Sequence, residues 1–165
     1  MSRAGGADYL GKSERALDEA RLLLREGKTE GACNRAYYAM HDAAHGALFA
    51  VGYETPDALV RTHHGPIAAF GKELVLGGKI HADFGRAFNK VQDMRLLADY
   101  DAEPPEPEAA KSAVVLAEAF VAAVRGMIAG LKSRLRESAV NARRWRIKSD
   151  ILAAIAEPGL RPDAA

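Results

Sequence analysis

Cysteine is nearly absent from this chain of 165 residues, in which Cys33 is the single one. One thiol excludes an intrachain disulfide framework and fits a reducing compartment. Alternating runs of β-branched residues, which indicate strands, are lacking. The chain also has no run of 18 apolar residues, which predicts that no segment spans a membrane. Residues 1–7 lead into a charged segment instead of an apolar signal core. We therefore expect a cytoplasmic protein without a membrane partner.

Net charge is small as well, at +1, but it is unevenly distributed. Residues 1–131 contain fifteen Lys and Arg against eighteen Asp and Glu, whereas residues 132–165 contain eight against four. The first part therefore has no general attraction for nucleic acid, and the second has a local one. We predict a single domain over residues 1–131 and a basic tail over residues 132–165. A chain of this length buries roughly two-thirds of its unfolded surface, so it folds without a disulfide or a structural metal.

Nearly every segment is rich in alanine, leucine, arginine and glutamate, which favour helix. Apolar spacing, glycine stops and proline-containing loops delimit the predicted helices. These helices cover residues 8–26, 28–51, 66–76, 81–100 and 108 to at least 131. A last short amphipathic helix is predicted around Trp145 and Ile151. The predicted fold is all-α, an up-and-down bundle of four or five helices followed by a basic C-terminal helical tail.

The helix predicted over residues 28–51 has two contact faces. The first is apolar and is assigned to the core; it comprises Cys33, Ala36, Tyr37, Met40, Ala44, Ala47, Leu48 and Val51. The second lies nearly opposite and recurs at three- and four-residue steps, as a packing seam does; it comprises Gly31, Arg35, Tyr38, Asp42, His45 and Phe49. Since Tyr38 and Phe49 are unusual on a solvent-facing side, we expect the second face to pack against another helix or a second copy of the chain. Asn34 and His41 lie between the two faces.

The second face and its border carry the groups that RNA strand cleavage requires. Arg35 offers a planar positive fork that suits a phosphate. His41 and His45 exchange protons near neutral pH, and Asn34 and Tyr38 add hydrogen-bond donors. Together these side chains supply a base for the 2′-hydroxyl, an acid for the leaving oxygen and a cation for the developing charge.

The same residues also allow plainer interpretations. His41 fits a surface histidine, and Asp42 with His45 fits a simple i,i+3 pair on a helix. His41 and His45 have the i,i+4 spacing of a metal-binding pair. However, the metalloprotease glutamate is missing between them and the sequence has no thiolate cluster. We therefore predict neither a metal nor a cofactor.

Four stretches resemble the HEPN domain family, in its branch of small stand-alone bacterial and archaeal members. They are residues 16–24, 34–40, 62–72 and 95–101. Their order and spacing are together more specific than any one stretch, and the resemblance spans most of residues 7–131. It implies a HEPN-like bundle of four or five helices that forms a homodimer through the second helix. Many members of the family are metal-independent ribonucleases.

The family motif is an Arg and a His separated by four to six residues and brought together at the dimer interface. Arg35 and His41, with five residues between them, match this motif. On one helix they lie about 120° and roughly 9 Å apart, so joint action requires the two-fold partner. Related toxins are encoded beside a minimal nucleotidyltransferase that acts as antitoxin, and some are silenced by nucleotide addition to a tyrosine two residues after the motif His. Ala43 stands at that position here, so this form of control is not expected.

Two further stretches are candidates for the same site. His63 and His64 precede a glycine and fit a helix end, where the helix dipole favours a cation. The resemblance places them in the groove that holds the motif residues. Arg95 and Asp99 have the spacing of a surface ion pair. The resemblance gives Asp99 and Tyr100 a structural role or a place in the groove.

The basic tail has two interpretations. Its Lys and Arg residues suit a phosphate backbone, and they equally suit a solvated segment. Trp145, which stands among arginines, suits stacking on a base or anchoring of the tail to the bundle.

Our first hypothesis is a toxin-like, metal-independent endoribonuclease of a toxin–antitoxin or defence system. It acts as a homodimer, with Arg35 and His41 as catalytic residues. The alternative is a non-catalytic HEPN subunit that binds a nucleotide or partners a nucleotidyltransferase.

Overall fold

The computed structural model describes residues 6–53, 64–100 and 103–156. Within these ranges the chain forms five α-helices, which are α1 (Gly6–Arg25), α2 (Thr29–Ala50), α3 (His64–Phe70), α4 (Ala82–Tyr100) and α5 (Pro107–Ala156). α3 continues as a π-helical turn over Gly71–Val75. The described ranges contain no strand. The prediction of an all-α, HEPN-like helical bundle is confirmed, and the predicted starts of the bundle helices agree with the structure to within two residues.

The turn between α1 and α2 requires a glycine. Gly27 has a φ angle of 67°, in the left-handed region that side chains disfavour. The backbone N–H of Lys28 donates to the carbonyl of Leu23 at 2.8 Å, which satisfies an acceptor at the end of α1. After this short turn α2 runs antiparallel to α1. Deep in their interface, the hydroxyl of Ser13 donates to the backbone carbonyl of Ala39 at 2.8 Å.

α2 lies at the centre of the bundle. Its predicted core face is buried, since Cys33, Ala36, Tyr37, Met40, Ala44, Ala47 and Leu48 are fully enclosed and Val51 is partly enclosed. On the other side of the core, α3, α4 and α5 each contribute one phenylalanine. The ring centroids of Phe70 and Phe88 are 5.9 Å apart, and Phe120 lies 4.9 Å from Phe70 and 5.2 Å from Phe88. Aromatic rings bury large apolar areas, so this trio is a major source of stability.

α5 is joined to α1 by charges as well as by the core. Arg21 donates through Nε to a carboxylate oxygen of Glu118 at 2.6 Å and also pairs with Asp18. Glu14 and Arg125 form a second ion pair between the same two helices. Such half-exposed pairs contribute little to stability individually, but they link α1 to α5 at two points.

The chain divides into two compact units, residues 1–128 and residues 129–165. We predicted a separate short helix in the second part, whereas the structure has one continuous helix from Pro107 to Ala156. The reason is local, because residues 131–156 contain neither glycine nor proline. Proline would remove a backbone hydrogen bond and glycine would lower the helix propensity. Without either residue, nothing local ends the helix in this stretch.

α5 is also the described helix that is long and apolar enough to cross a membrane by length and composition. Its candidate span is Pro107–Ser149, in which the most apolar 18-residue window has a mean hydropathy of 1.9 and is one-third buried. Core helices of helical bundles satisfy the same criteria. Here Phe120 and Val124 are fully buried in the bundle, and Glu118 and Arg125 are paired with α1. Packing inside the bundle therefore accounts for the buried apolar residues of α5.

The phenylalanine trio predicts a specific loss of stability. Replacing Phe120, which is fully buried, by Ala should lower the free energy of unfolding by about 3–5 kcal/mol, because it removes buried area and leaves a cavity. The matched control is Val115→Ala on the same helix, where the side chain is 53% exposed. Urea denaturation followed by circular dichroism measures both changes. Equal losses in the two variants would contradict the assignment of Phe120 to the core.

Candidate functional site

The candidate site lies where the middle of α2 faces α4. Tyr37 and Tyr38 are consecutive residues of α2, and their rings meet edge to face at 5.5 Å between centroids. The guanidinium of Arg95, on α4, lies 5.3 Å from the centroid of the Tyr37 ring and 6.0 Å from that of Tyr38. A guanidinium this close to aromatic faces is attracted by their negative quadrupole. Tyr37 is fully buried, so this contact ties the cation to the core.

Arg95 is held tightly, yet one of its donors is unused. Its side chain is only 14% exposed, and Nη2 lies 2.8 Å from a carboxylate oxygen of Asp99. The amide of Asn34 donates to the other oxygen of Asp99 at 3.3 Å, so this carboxylate links α2 to α4. Nε of Arg95 is buried and has no hydrogen-bond partner among the described residues. A buried donor without a partner is uncommon in proteins and marks a place where an acceptor would be favoured.

A second guanidinium reaches the same tyrosine from α2 itself. Arg35 lies 5.5 Å from the centroid of the Tyr38 ring. Its Nη1 is 3.2 Å from a carboxylate oxygen of Glu19 on α1, and both of these side chains are about half exposed. The partly exposed ring of Tyr38 therefore has an arginine of α2 and an arginine of α4 within 6.0 Å of its centroid. Two positive forks beside one aromatic ring suit a ligand with a phosphate and a base.

His41 contacts the other edge of this tyrosine pair. Its ring is 5.7 Å from Tyr37 and 6.3 Å from Tyr38, centroid to centroid, and 4.8 Å from His45. The side chain is partly buried and hydrogen-bonds to Asp42. An imidazole held by a carboxylate has a fixed orientation, which is the usual arrangement of a histidine that moves protons.

Asp42 is an enclosed carboxylate with two partners. Its side chain is 4% exposed, and Nζ of Lys12 on α1 lies 3.1 Å from one oxygen. Burial by itself would raise the pKa of Asp42, but the hydrogen bonds and positive charges of His41 and Lys12 outweigh it and lower the pKa. Asp42 is therefore ionised at neutral pH and fixes both His41 and the lysine of α1.

His45 lies one helical turn further along α2, beneath α1. Its ring stacks on Tyr9 at 5.1 Å, and the residue is 5% exposed. Burial, reinforced by repulsion from His41, lowers its pKa from 6.5 to about 4, although Asp42 acts in the opposite direction. His45 is therefore neutral at physiological pH and packs behind His41 without reaching the surface.

The second face of α2 thus has two parts. α1 covers Gly31, which lies against Leu23, and it also covers Asp42 and His45. Of the two partners we considered for this face, another helix of the bundle accounts for this part. Arg35 and Phe49 are exposed, with Phe49 at 54%.

Apart from Asp42 and His45, which α1 covers, the predicted site residues fall in three places. Asn34, Arg35, Tyr38, His41, Arg95 and Asp99 come together across α2 and α4. Tyr100 ends α4 with 84% exposure. His63 lies outside the described residues, as does the side chain of His64.

Sequence reasoning missed the contact of Arg95 with both tyrosines and the pairing of Lys12 with Asp42. Both join residues on different helices, and the helical spacing on a single element does not reveal such pairs. The described residues contain no group of three or more side chains suited to a metal ion.

The buried histidine predicts a pH-dependent stability. His45 binds a proton below about pH 6.5 in the unfolded chain but only near pH 4 in the folded protein. The free energy of unfolding should therefore fall as the pH is lowered from 6.5 to 4, by up to about 3 kcal/mol for a shift of this size. The lowered pKa of Asp42 adds a loss only below its ordinary value of 3.8. Denaturant titrations at a series of pH values measure this dependence.

The control separates His45 from the other titrating groups. His45→Gln should flatten the pH dependence between 6.5 and 4. His81→Gln, at a side chain that is 71% exposed, is the control for replacing a histidine at the surface. A wild-type slope in the His45 variant would mean that another group is responsible.

Comparison with known proteins supports the helical-bundle fold, and the matched residues include the candidate site. The HEPN domain model matches residues 7–127. A UPF0332 protein of Thermotoga maritima is 32% identical over 122 residues, which are 73% of this chain and 89% of that protein. A UPF0332 protein of Gloeobacter violaceus is 29% identical over 93 residues, which are 56% of this chain and 70% of that protein.

A protein of Methanocaldococcus jannaschii that is named as a candidate toxin is 33% identical over 109 residues, 66% of this chain and 78% of its own. The family match covers all of α2 and α4, and therefore every described residue of the site. The resemblance seen in the sequence is confirmed, and the chain belongs to the HEPN domain family.

Proposed function

We propose that this protein is a metal-independent endoribonuclease that acts as a homodimer. The observation that supports this most directly is the set of side chains around the ring of Tyr38. Two guanidiniums and an imidazole converge on its ring, and the imidazole is held by a buried, ionised carboxylate. A phosphate between the cations and a base on the ring would place a phosphodiester next to His41.

The chemistry follows from these positions. His41 takes the proton of the 2′-hydroxyl, whose oxygen attacks the adjacent phosphorus while the bond to the 5′-oxygen breaks. Arg35 and Arg95 stabilise the negative charge that develops on the phosphate oxygens. The leaving 5′-oxygen takes up a proton from a second acid, for which His41 of the other copy is suited. Asp42 keeps the imidazole oriented throughout.

Both arginines are engaged before the substrate arrives, and this bears on how it binds. Arg35 pairs with Glu19 and Arg95 pairs with Asp99. The first pair is about half exposed, and such pairs are weak, so the phosphodiester of the RNA displaces Glu19 readily. Arg95 keeps Asp99, and a small turn of its side chain brings the buried, unpaired Nε to the phosphate.

The proposed dimer is built from the exposed part of α2. Arg35, Tyr38 and Phe49 lie on that side, and Phe49 is a large apolar side chain that is more than half exposed. A two-fold contact there brings two copies of Arg35 and His41 towards one groove, which a single helix does not achieve.

A toxin role is the biological form of this proposal. It is supported by the similarity to the archaeal protein that is named as a candidate toxin. Uncontrolled cleavage of cellular RNA requires an inhibitor, and a nucleotidyltransferase partner is the antitoxin that we propose.

One observation favours a second function. Because each arginine of the site already has a carboxylate partner, the site is close to electrically neutral. Such a site suits a nucleotide-binding or nucleotidyltransferase-binding subunit without catalysis. Saturable binding of AMP to a protein that cleaves no RNA would identify this function.

The ribonuclease proposal predicts cleavage without metal. Purified protein incubated with labelled single-stranded RNA in EDTA should produce fragments that end in a 2′,3′-cyclic phosphate. His41→Ala should slow cleavage by about 10²-fold or more, since it removes proton transfer. Arg35→Ala should have an effect of the same order, by loss of charge stabilisation. The controls are His81→Ala and Arg86→Ala, at exposed positions near the start of α4. Absence of cleavage by the wild type, or equal cleavage by His41→Ala, would overturn the proposal.

The proposed dimer interface leads to a separate prediction about oligomeric state. Phe49→Asp places a charge in the proposed interface and should convert the dimer to a monomer in sedimentation velocity, with a parallel loss of RNA cleavage. The control is Leu97→Asp, since Leu97 is similarly exposed, at 60%, but lies on α4. A wild-type protein that sediments as a monomer at micromolar concentration would contradict this interface.

A further inference from the structure

In the second unit of the chain, the described residues form a helix that the proposed function does not use. We call its described part, residues 129–156, the C-terminal extension. Every side chain from Lys132 to Ser149 is exposed, including Leu135 at 68% and Trp145 at 74%. The family match ends at residue 127, so the extension is an addition to the HEPN domain. Exposed leucine and tryptophan side chains on one helix indicate a surface that binds a partner.

One row of residues in the extension has a coiled-coil spacing. Its apolar members are Leu131, Leu135, Ala142 and Trp145, while the exposed Val140 and Ile147 lie off it. Leu131, Leu135, Ser138, Ala142, Trp145 and Ser149 succeed one another in alternating steps of four and three. We call this row the seam. The same spacing occurs earlier in α5, at the buried core residues Val114, Ala117, Val121, Val124 and Ile128. Steps of four and three keep a row of side chains on one side of a helix, where a second helix can pack. The seam spans about 27 Å.

The residues beside the seam are basic on both edges. Lys132 and Arg146 follow seam positions directly, and Arg134 and Lys148 precede them. These are the positions whose charges select the partner in paired helices. Between residues 132 and 149 the chain has seven Lys and Arg and a single acidic residue, Glu137. In two copies packed along this seam, parallel or antiparallel, the flanking charges would all be positive. A second copy is therefore disfavoured as the occupant.

We propose that the extension is a docking helix for an acidic amphipathic helix of another protein. The partner would place aliphatic side chains against Leu131, Leu135 and Trp145, and it would place Glu or Asp opposite the flanking Lys and Arg. Ser138 and Ala142 are small and let the two helices approach closely between the larger contacts. An RNA strand would satisfy the basic residues and stack on Trp145, but it offers nothing to cover the leucines. Helix docking accounts for both the charge and the seam.

The test uses the full-length protein and a synthetic peptide as probe. The probe is a fluorescein-labelled peptide of three heptads with Ile and Leu at the seam positions and Glu at the flanking positions. Its matched control has Lys in place of each flanking Glu. We expect saturable binding of the Glu peptide in fluorescence anisotropy, weakened by added salt because charge contributes. We expect no saturable binding of the Lys peptide. Failure of the Glu peptide to bind overturns the proposal.

Variants of the chain locate the interaction and decide between occupants. Leu135→Ser and Trp145→Ser should each weaken binding of the Glu peptide by about tenfold or more, as apolar residues at the centre of an interface do. Val140→Ser is the control, because Val140 is 64% exposed but lies off the seam. Equal losses in all three variants contradict the seam. Circular dichroism of each variant checks that the helix is retained.

Two outcomes would assign the extension to another occupant. If labelled oligouridylate binds more tightly than the Glu peptide, and Leu135→Ser leaves that binding unchanged, the extension is an RNA-binding arm and the proposal is wrong. If the wild type self-associates in sedimentation and Leu135→Ser abolishes this, the occupant is a second copy and the proposal is wrong too. RNA cleavage by the dimer is independent of either result, so the two proposals stand or fall separately.

Discussion

The arrangement of the site depends on the buried carboxylate of Asp42. An enclosed charge is costly unless it is paired and hydrogen-bonded, and here Lys12 of α1 and His41 of α2 do both. The pairing joins α1 to α2 beside the site, and the hydrogen bond with Asp42 orients the His41 ring. α1 also reaches Arg35 through Glu19, but both of these side chains remain about half exposed.

The rest of the cluster lies around these groups. His45 is enclosed behind His41 and is neutral, so one imidazole of the pair is left at the border of the site. Tyr37 is buried and positions Arg95, which brings α4 to the cluster. Tyr38 remains partly exposed between the two arginines. The buried members of the cluster therefore orient the exposed ones.

The sequence was sufficient for the helices, because apolar spacing, glycine stops and proline-containing loops all act locally. It also identified the core face of α2, from Cys33 to Leu48, since spacing on one helix defines its faces. It did not reveal which element covers the opposite face. The contacts of Lys12 with Asp42 and of Arg95 with Tyr37 join residues far apart in the chain and depend on how the helices pack. The continuity of α5 was missed for a different reason, since we read the change in charge after residue 131 as a structural boundary, although charged residues continue a helix as well as apolar ones.

The central claim is that an anionic nucleotide ligand binds at Tyr38 between the two arginines, whether or not it is then cleaved. The most direct measurement is a crystal structure with a uridylyl dinucleotide whose attacking 2′-hydroxyl is replaced by hydrogen. The account predicts the phosphate within hydrogen-bond distance of Arg35 and of Nε of Arg95, with a base on the ring of Tyr38 and His41 facing the 2′ carbon. A dinucleotide bound elsewhere, with both arginines still paired to Glu19 and Asp99, would contradict the account.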